Sequence, residues 1–444
     1  MFKAGSAIAD ITPPLGLGLG GYPHYERENT GAHDPLYAAA MYLTDGKEEV
    51  AYVTLDLLFF SKKHVAVVRE KVNAACGIPK DHITVSTIHT HSGPWASGRL
   101  DIESLEKGIP QPMEYVNDLI EKIVSIIVKA KAEAFPAEMA CDTVICGAES
   151  GIGGNRRIAG GPHDPLVTVL AIRDENKTVR GMFVNYTLHP TFIHEWSTVC
   201  TADYPAYLRI QLGEMEPDAV VLFGQGASGN QSSRYYRKGE SYDEAERVGR
   251  TLGKAAHAAM EKAEWKSDMT IAVAGTSLPL ELRSFGTEEE LEARVAHDKA
   301  VYEDLWARYG TSTKREEYYL WQNANLKLLG SEDQLGYVKM QKNGTKIELL
   351  EDEGPDELQA VRIGDVLLLA AQGEIFVEYA LYLKAMAPFR VVFFNELANG
   401  CLPGYLYTPE SLVSGGYETD TSMLAPGFGR KMVDAFLELI EKVR

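Results

Sequence analysis

Cysteine is scarce in this chain. The 444 residues hold five, Cys76, Cys141, Cys146, Cys200 and Cys401, an odd number with no CxxC pair. That excludes a disulfide framework and suits a reducing compartment, where a free cysteine serves as a small buried hydrophobe. Long apolar runs are also missing. A run such as Val366 to Ala371 is far too short to cross a bilayer, so no integral membrane segment is expected. The N-terminus opens on a strand-like pattern without the charged and apolar regions of a signal peptide. The expectation is a cytoplasmic protein, with a mature secreted fragment as the alternative. Basic charge is in deficit: Lys plus Arg is 44 against 63 for Asp plus Glu, a formal charge of -19. Nucleic acid and anionic lipid surfaces are disfavoured as partners, while the balance says little about a small-molecule substrate, the partner expected here. The sequence has no HExxH motif, no internal repeat and no low-complexity tract. Oligomeric state is not legible.

What is present is ample apolar material, 45% of residues, arranged as alternating strand-like and helix-like runs. Residues 51–56, 166–172, 182–186, 219–223, 366–371 and 391–394 read as strands. Residues 62–75, 113–131, 243–263, 375–387 and 431–442 read as helices, the second on the helical spacing of Val116, Leu119, Ile120, Ile123 and Ile127. This order predicts an α/β fold, one large catalytic domain over residues 1–444 with mixed sheets flanked by helices. One stretch, about 285–330, differs. Thr287 and Glu290 form a capping-box pattern, and two charged helical segments follow, to Tyr309 and from about Lys314 to Leu329. They predict an inserted helical hairpin. Its aromatics Tyr318, Tyr319 and Trp321 fit core packing of the hairpin first, and a cap over an active site second.

The chemistry concentrates at strand ends. His89-Thr90-His91 closes the run Val85-Ser-Thr-Ile-His-Thr-His-Ser-Gly-Pro94. In a strand, residues i and i+2 point to the same face, so both imidazoles can project from its end into one cavity, and neutral imidazole is the commonest zinc ligand. His189-Pro-Thr follows the strand 182–186, where a lone histidine would ordinarily be structural. Gln372-Gly373-Glu374 follows the strand 366–371 and is expected to open a helix whose N-terminus keeps the carboxylate ionised. Histidines and a glutamate at strand ends make a possible zinc site, although iron, manganese and nickel suit the same donors. Gly16-Leu-Gly18-Leu-Gly-Gly21 matches G-x-G-x-x-G, but Pro13-Pro14 before it and Tyr22-Pro23 after it leave no helix to open. It reads as a loop whose backbone can approach a ligand. Gln225-Gly226-Ala-Ser228-Gly-Asn230 lacks the final glycine of a nucleophile elbow and could present N–H groups to an oxyanion. Asn155-Arg156-Arg157 can clamp an anion or form a surface ion pair. Tyr405 and Tyr417 lie in a glycine- and tyrosine-rich loop.

Taken together, these segments resemble the catalytic domain of the neutral, non-lysosomal ceramidases, from Gly5-Ser-Ala-Ile-Ala-Asp10 to Gly415-Gly-Tyr-Glu418. His-Thr-His-Ser-Gly-Pro is the most specific mark. The resemblance implies a zinc amidase with one Zn2+ per chain, held by His89, His189, Glu374 and Tyr405. His91, Arg156, Tyr405 and Tyr417 would act on the substrate, and Gly21, Tyr22, Gln225 and Gly226 would line its site. The chain departs from the family in two respects. It ends at Arg444 after one helix, so an immunoglobulin-like C-terminal domain is not expected. It also carries Gly226 where the ceramidases have a serine after the Gln of the strand-end loop. The leading expectation is therefore hydrolysis of an amide, or else an ester or lactone, of a small polar molecule. A metal-dependent isomerase or lyase with Glu374 or His91 as proton shuttle, and a non-catalytic binder, are the alternatives.

Overall fold

One folding unit recurs three times along the chain in the computed structural model, which describes residues 1–22, 25–95, 112–312, 314–343 and 354–444. Each unit is three antiparallel strands, a helix, a fourth strand parallel to the third, and a second helix. In the first, Lys3–Asp10, Tyr37–Thr44 and Glu49–Leu55 run antiparallel, and Lys62–Cys76 crosses over to Ile83–Thr87, which pairs in parallel with Glu49–Leu55. Met113–Ala132 then packs on this sheet. The second unit repeats the plan with Glu138–Ile145, Leu166–Arg173, Val179–Tyr186, the helix Tyr204–Met215, the parallel strand Val220–Gln225 and the helix Tyr242–Lys262. The third uses Ile271–Leu278, Asp356–Ile363, Val366–Ala370, the helix Val377–Met386, the parallel strand Val391–Asn395 and the helix Phe428–Val443. The mixed α/β architecture expected from the sequence is the one observed. The repetition is one of topology only, with different residues meeting the same packing demands.

The three sheets meet in one apolar core. Met41 and Tyr52 from the first sheet, Leu170, Phe183 and Leu222 from the second, and Val361, Leu368 and Phe393 from the third share a buried cluster. Phe183 and Phe393 stack with centroids 5.4 Å apart, joining the second sheet to the third; each fully buried phenylalanine contributes roughly 1.5–3 kcal/mol. Polar side chains then tie the strand ends. Asn185 Nδ2 donates to Phe394 O at 3.0 Å and Asn395 Oδ1 at 2.9 Å. Asn399 Oδ1 accepts from Val85 N at 3.0 Å, linking the third sheet to the first. The C-terminal ends of the parallel strands therefore converge, the place where α/β sheets bind ligands.

Tyr37–Thr44, Glu138–Ile145, Ile271–Leu278 and Asp356–Ile363 complete the sheets, and none is evident from periodicity. Tyr-Ala-Ala-Ala-Met-Tyr-Leu-Thr carries strong helix formers, and only its position between two partner strands makes it extended. The hairpin is present as Glu288–Tyr309 and Arg315–Asn343, inserted between two neighbouring strands of the third sheet. Thr287 and Glu290 form the capping box. Trp306 and Trp321 meet edge to face at 4.7 Å, which is packing within the hairpin. Its second helix also reaches outward: Gln334 Nε2 donates to Asp420 O at 2.6 Å, and Arg234 lies 6.0 Å from the Tyr319 ring centroid. Among the described residues, no helix is long and apolar enough to cross a membrane.

Candidate metal centre

Strand-end loops from all three units deliver the site. His89 comes two residues after Ile83–Thr87, His189 three after Val179–Tyr186, and Glu374 four after Val366–Ala370. Glu374 Oε2 lies 3.3 Å from His89 Nε2 and 3.2 Å from His189 Nε2. His91 Nε2 stands 3.4 Å from His89 Nε2, and the ligand atoms of the three histidines all fall within 4.8 Å of one another. Ligands at ~2.0–2.1 Å from a tetrahedral zinc are themselves ~3.3–3.5 Å apart, so these donors already have the spacing of a zinc shell. His89 and His189 are 2% and 0% exposed and Glu374 7%. Burial of this kind is costly for a charge unless it is compensated.

The backbone route to this geometry differs from an extended strand. Pairing stops at Thr87, and His89 takes φ 66°, a left-handed conformation unusual for a side chain with a Cβ. Such a conformation costs on the order of 1–3 kcal/mol and persists only where the surroundings impose it. Here His89 N donates to Leu57 O at 3.0 Å, and Leu58 O lies 3.1 Å from His89 Nδ1. Glu374 likewise opens no helix: Glu374–Ile375 pairs in parallel with Tyr405–Leu406, and the helix begins at Val377. The charge of Glu374 is governed by its neighbours. Burial pushes its carboxyl up, but His89 and His189 more than reverse this and hold it well below the usual range.

The outer nitrogens separate the histidines. His189 Nδ1 faces Ser228 O at 2.8 Å and Gln231 O at 3.1 Å, so in the neutral ring it carries the proton and Nε2 presents a lone pair. Leu58 O does the same for His89. His91 Nδ1 is buried without a hydrogen-bond partner. Burial, then Arg156, lowers His189 to about 4, and burial, then His89 and His189, takes His91 well below its ordinary value. Both imidazoles are therefore neutral at pH 7, the state that ligates metals or accepts a proton.

The remaining sequence candidates distribute unevenly. Gly21, at φ 102°, passes so close to His91 that a Cβ would come 2.5 Å from the His91 Cα. Tyr22 meets the His91 ring edge to face at 5.0 Å and stacks on His194 at 5.4 Å, with its hydroxyl donating to Ile193 O at 2.9 Å. Tyr405 is buried and packs against Tyr417 at 5.9 Å, with Arg156 Cζ 5.5 Å from its ring centroid. Burial, then Glu374, pushes the Tyr405 hydroxyl well above its ordinary value. Gln225 and Gly226 lie deeper: Gln225 Nε2 donates to Leu188 O at 2.9 Å, and Gly226 packs on Thr187. They shape the loop that carries His189.

Three further residues belong to the site, none of them singled out from the sequence. Glu418 receives Arg156 Nε at 2.7 Å and Arg157 Nη1 at 2.6 Å, fixing both arginines. Arg27 Nη2 donates to Gly20 O at 2.6 Å and His91 O at 2.8 Å, holding the glycine loop against the histidine segment. Glu396 follows the strand Val391–Asn395 and reaches Ser228 Oγ at 2.5 Å. The strand-end pattern that marks Glu374 applies equally to Asn395-Glu396; nothing local marks Arg27.

Residues 2–148 match the family described as neutral/alkaline non-lysosomal ceramidase, N-terminal. In fold, the chain is similar to the neutral ceramidase from Pseudomonas aeruginosa, with a TM-score of 0.74 and 19% identity over 99% of this chain and 74% of that one. It is also similar to a ceramidase complexed with C2, with a TM-score of 0.71 and 17% identity over the same shares.

Proposed function

We propose that this chain, matched to the neutral/alkaline ceramidase family in its N-terminal sequence and in its fold from end to end, is a zinc-dependent hydrolase that cleaves an amide bond of a small polar molecule. The observation that carries the reading is the convergence of His89, His189 and Glu374 at 3.2–3.3 Å, with both histidine Nδ1 atoms turned to carbonyl oxygens. These three residues, with Tyr405 beside Glu374 across a strand pair, would hold one Zn2+. When bound, the metal supplies a Lewis acid that polarises a carbonyl and acidifies water.

The chain's own residues supply the rest. His91, neutral and free at Nδ1, can take a proton at one ring nitrogen and return it to the leaving amine. Tyr22 and Gly21 hold its ring in place. Arg156, fixed by Glu418 and by Gly229 O at 2.8 Å, presents positive charge toward Tyr405 and Glu374, where it can steady charge developing on the carbonyl oxygen. Tyr417 walls the same side, and the hairpin's second helix reaches the neighbouring loops. Arginines and tyrosines around the site suit a small polar substrate better than a long alkyl chain; an ester or lactone would use the same groups. Five cysteines without a disulfide suit a reducing, cytoplasmic setting.

Metal analysis of the purified protein beside a His89→Ala variant tests the reading. About one zinc per chain in the parent and none in the variant is expected. Mass analysis of amide substrates should show the addition of water. A parent that holds no metal and hydrolyses nothing would sink the proposal.

A further inference from the structure

Outside the three ligand residues, one buried carboxyl group touches the loops that hold two of them, His189 and Glu374. Glu396 is fully buried. Its Oε1 accepts from Ser228 Oγ at 2.5 Å, and its Oε2 accepts from Ile375 N at 2.6 Å. Ser228 contacts His189 twice, through its carbonyl oxygen at 2.8 Å and its hydroxyl at 3.1 Å from Nδ1. Ile375 is the residue after Glu374. The Glu396 backbone N also donates to Gln225 O at 3.0 Å, which anchors it to the strand before the Ser228 loop. The chain after Glu396 is bent to deliver it: Leu397 and Asn399 both take positive φ, 55° and 63°. A leucine in that region is strained, and such strain is kept only where the surroundings enforce it.

The geometry points to Glu396 as a clamp that sets the spacing between the metal ligands His189 and Glu374, with Ser228 as its arm to the histidine. One oxygen holds the loop of one ligand and the other oxygen holds the loop of the other. A rigid carboxylate therefore fixes the 3.2 Å separation of His189 Nε2 and Glu374 Oε2. Glu396 reaches His189 and Glu374 through Ser228 and Ile375, so it is a positioning residue, and its role rests on the zinc reading above. Outer partners of this kind typically affect metal affinity by ~10–100-fold.

The experiment is a zinc affinity measurement by competition with a chromophoric chelator, paired with thermal unfolding of the metal-free proteins. Glu396→Ala removes both arms and should weaken zinc binding ~10–100-fold. Glu396→Gln can accept from Ile375 N with its carbonyl and donate to Ser228 Oγ with its amide, so it should restore most of that affinity. Ser228→Ala removes one arm and gives an intermediate loss, and it serves as the test if Glu396→Ala does not fold. A folded Glu396→Ala or Ser228→Ala protein that binds zinc as tightly as the parent overturns the clamp. Failure of Glu396→Gln to improve on Glu396→Ala does so as well. A parent that binds no zinc overturns the functional reading itself, a result distinct from a parent that binds and variants that match it.

Discussion

His91 Nε2 lies 3.4 Å from His89 Nε2, yet the two rings differ at their other nitrogen. His89 Nδ1 is turned to Leu58 O, whereas His91 Nδ1 has no partner. Metal-ligating histidines almost always donate their second N–H, which fixes the tautomer. By that criterion His89 fits the proposed ligand role, and His91 the proposed proton-transfer role. His91→Ala is therefore expected to retain about one zinc per chain while kcat falls by ~10²–10⁴-fold, the usual range for a lost proton-transfer group. Metal content measured beside steady-state kinetics checks this. Loss of zinc from His91→Ala would make His91 a ligand and contradict the assignment.

Glu418 joins Arg156 and Arg157 in one ion-pair triad, with side-chain exposures of 7%, 11% and 12%. Removing one member of a buried pair leaves charge without compensation. Glu418→Ala is expected to cost ~3–5 kcal/mol in denaturant unfolding. The loss should persist at high salt, since buried pairs are weakly screened. A variant within ~0.5 kcal/mol of the parent would mean that water replaces the carboxylate without penalty.

Much of this site could be read in the sequence because its residues sit at strand ends, where a short β-branched run stops and a polar residue follows. His89, His189 and Glu374 all obey that rule. The details that depend on tertiary contacts could not be read in advance. The left-handed turn at His89 is imposed by Leu57 and Leu58, from the bend that follows the neighbouring strand Glu49–Leu55, so His89 and His91 do not alternate as strand residues do. The charge state of Glu374 follows from histidines far away in sequence and owes nothing to a helix end. The strand Tyr37–Thr44 looks helical until its partners are known. Arg27 bonds only to backbone oxygens of the folded chain, and no local pattern announces such a contact. Two helix boundaries fared better: Met113–Ala132 and Tyr242–Lys262 lie within a residue of their expected limits, because a long amphipathic stripe carries its own signal, whereas the hairpin's second helix runs on to Asn343, past its expected end at Leu329.

Gly226 lies at the end of Val220–Gln225, in the loop that leads to Ser228, and its replacement by serine is an informative substitution. A Cβ at this position would come 2.2 Å from Thr187 Oγ1 and 3.1 Å from Thr187 Cα. Thr187 is buried and its side chain is β-branched, so it has little room to yield. Gly226→Ser is expected to destabilise the protein by ~1–3 kcal/mol, the usual cost of overpacking, with no gain in rate. Thermal unfolding and kinetics on the parent's best substrate check both parts. An unchanged melting temperature would show that the loop relaxes freely at this position.

Asp356 gives the fold a pH dependence separate from the metal centre. It is fully buried, with the Gln372 backbone beside its carboxyl group. Burial raises its pKa to about 7, with the Gln372 backbone and the charge of Lys62 only partly offsetting the rise. The sign follows from linkage. The unfolded carboxyl titrates near its ordinary value of 3.8, so the folded state holds the proton more tightly. The stability this contributes is full below the unfolded pKa and is lost as pH rises through about 7. Asp356→Asn removes the titration and keeps the shape. Its melting temperature should therefore differ little from the parent's at about pH 4 and exceed it by a growing margin toward about pH 8. Parallel melting curves for the two proteins across that range would contradict the assignment of Asp356 as a carboxyl protonated by burial.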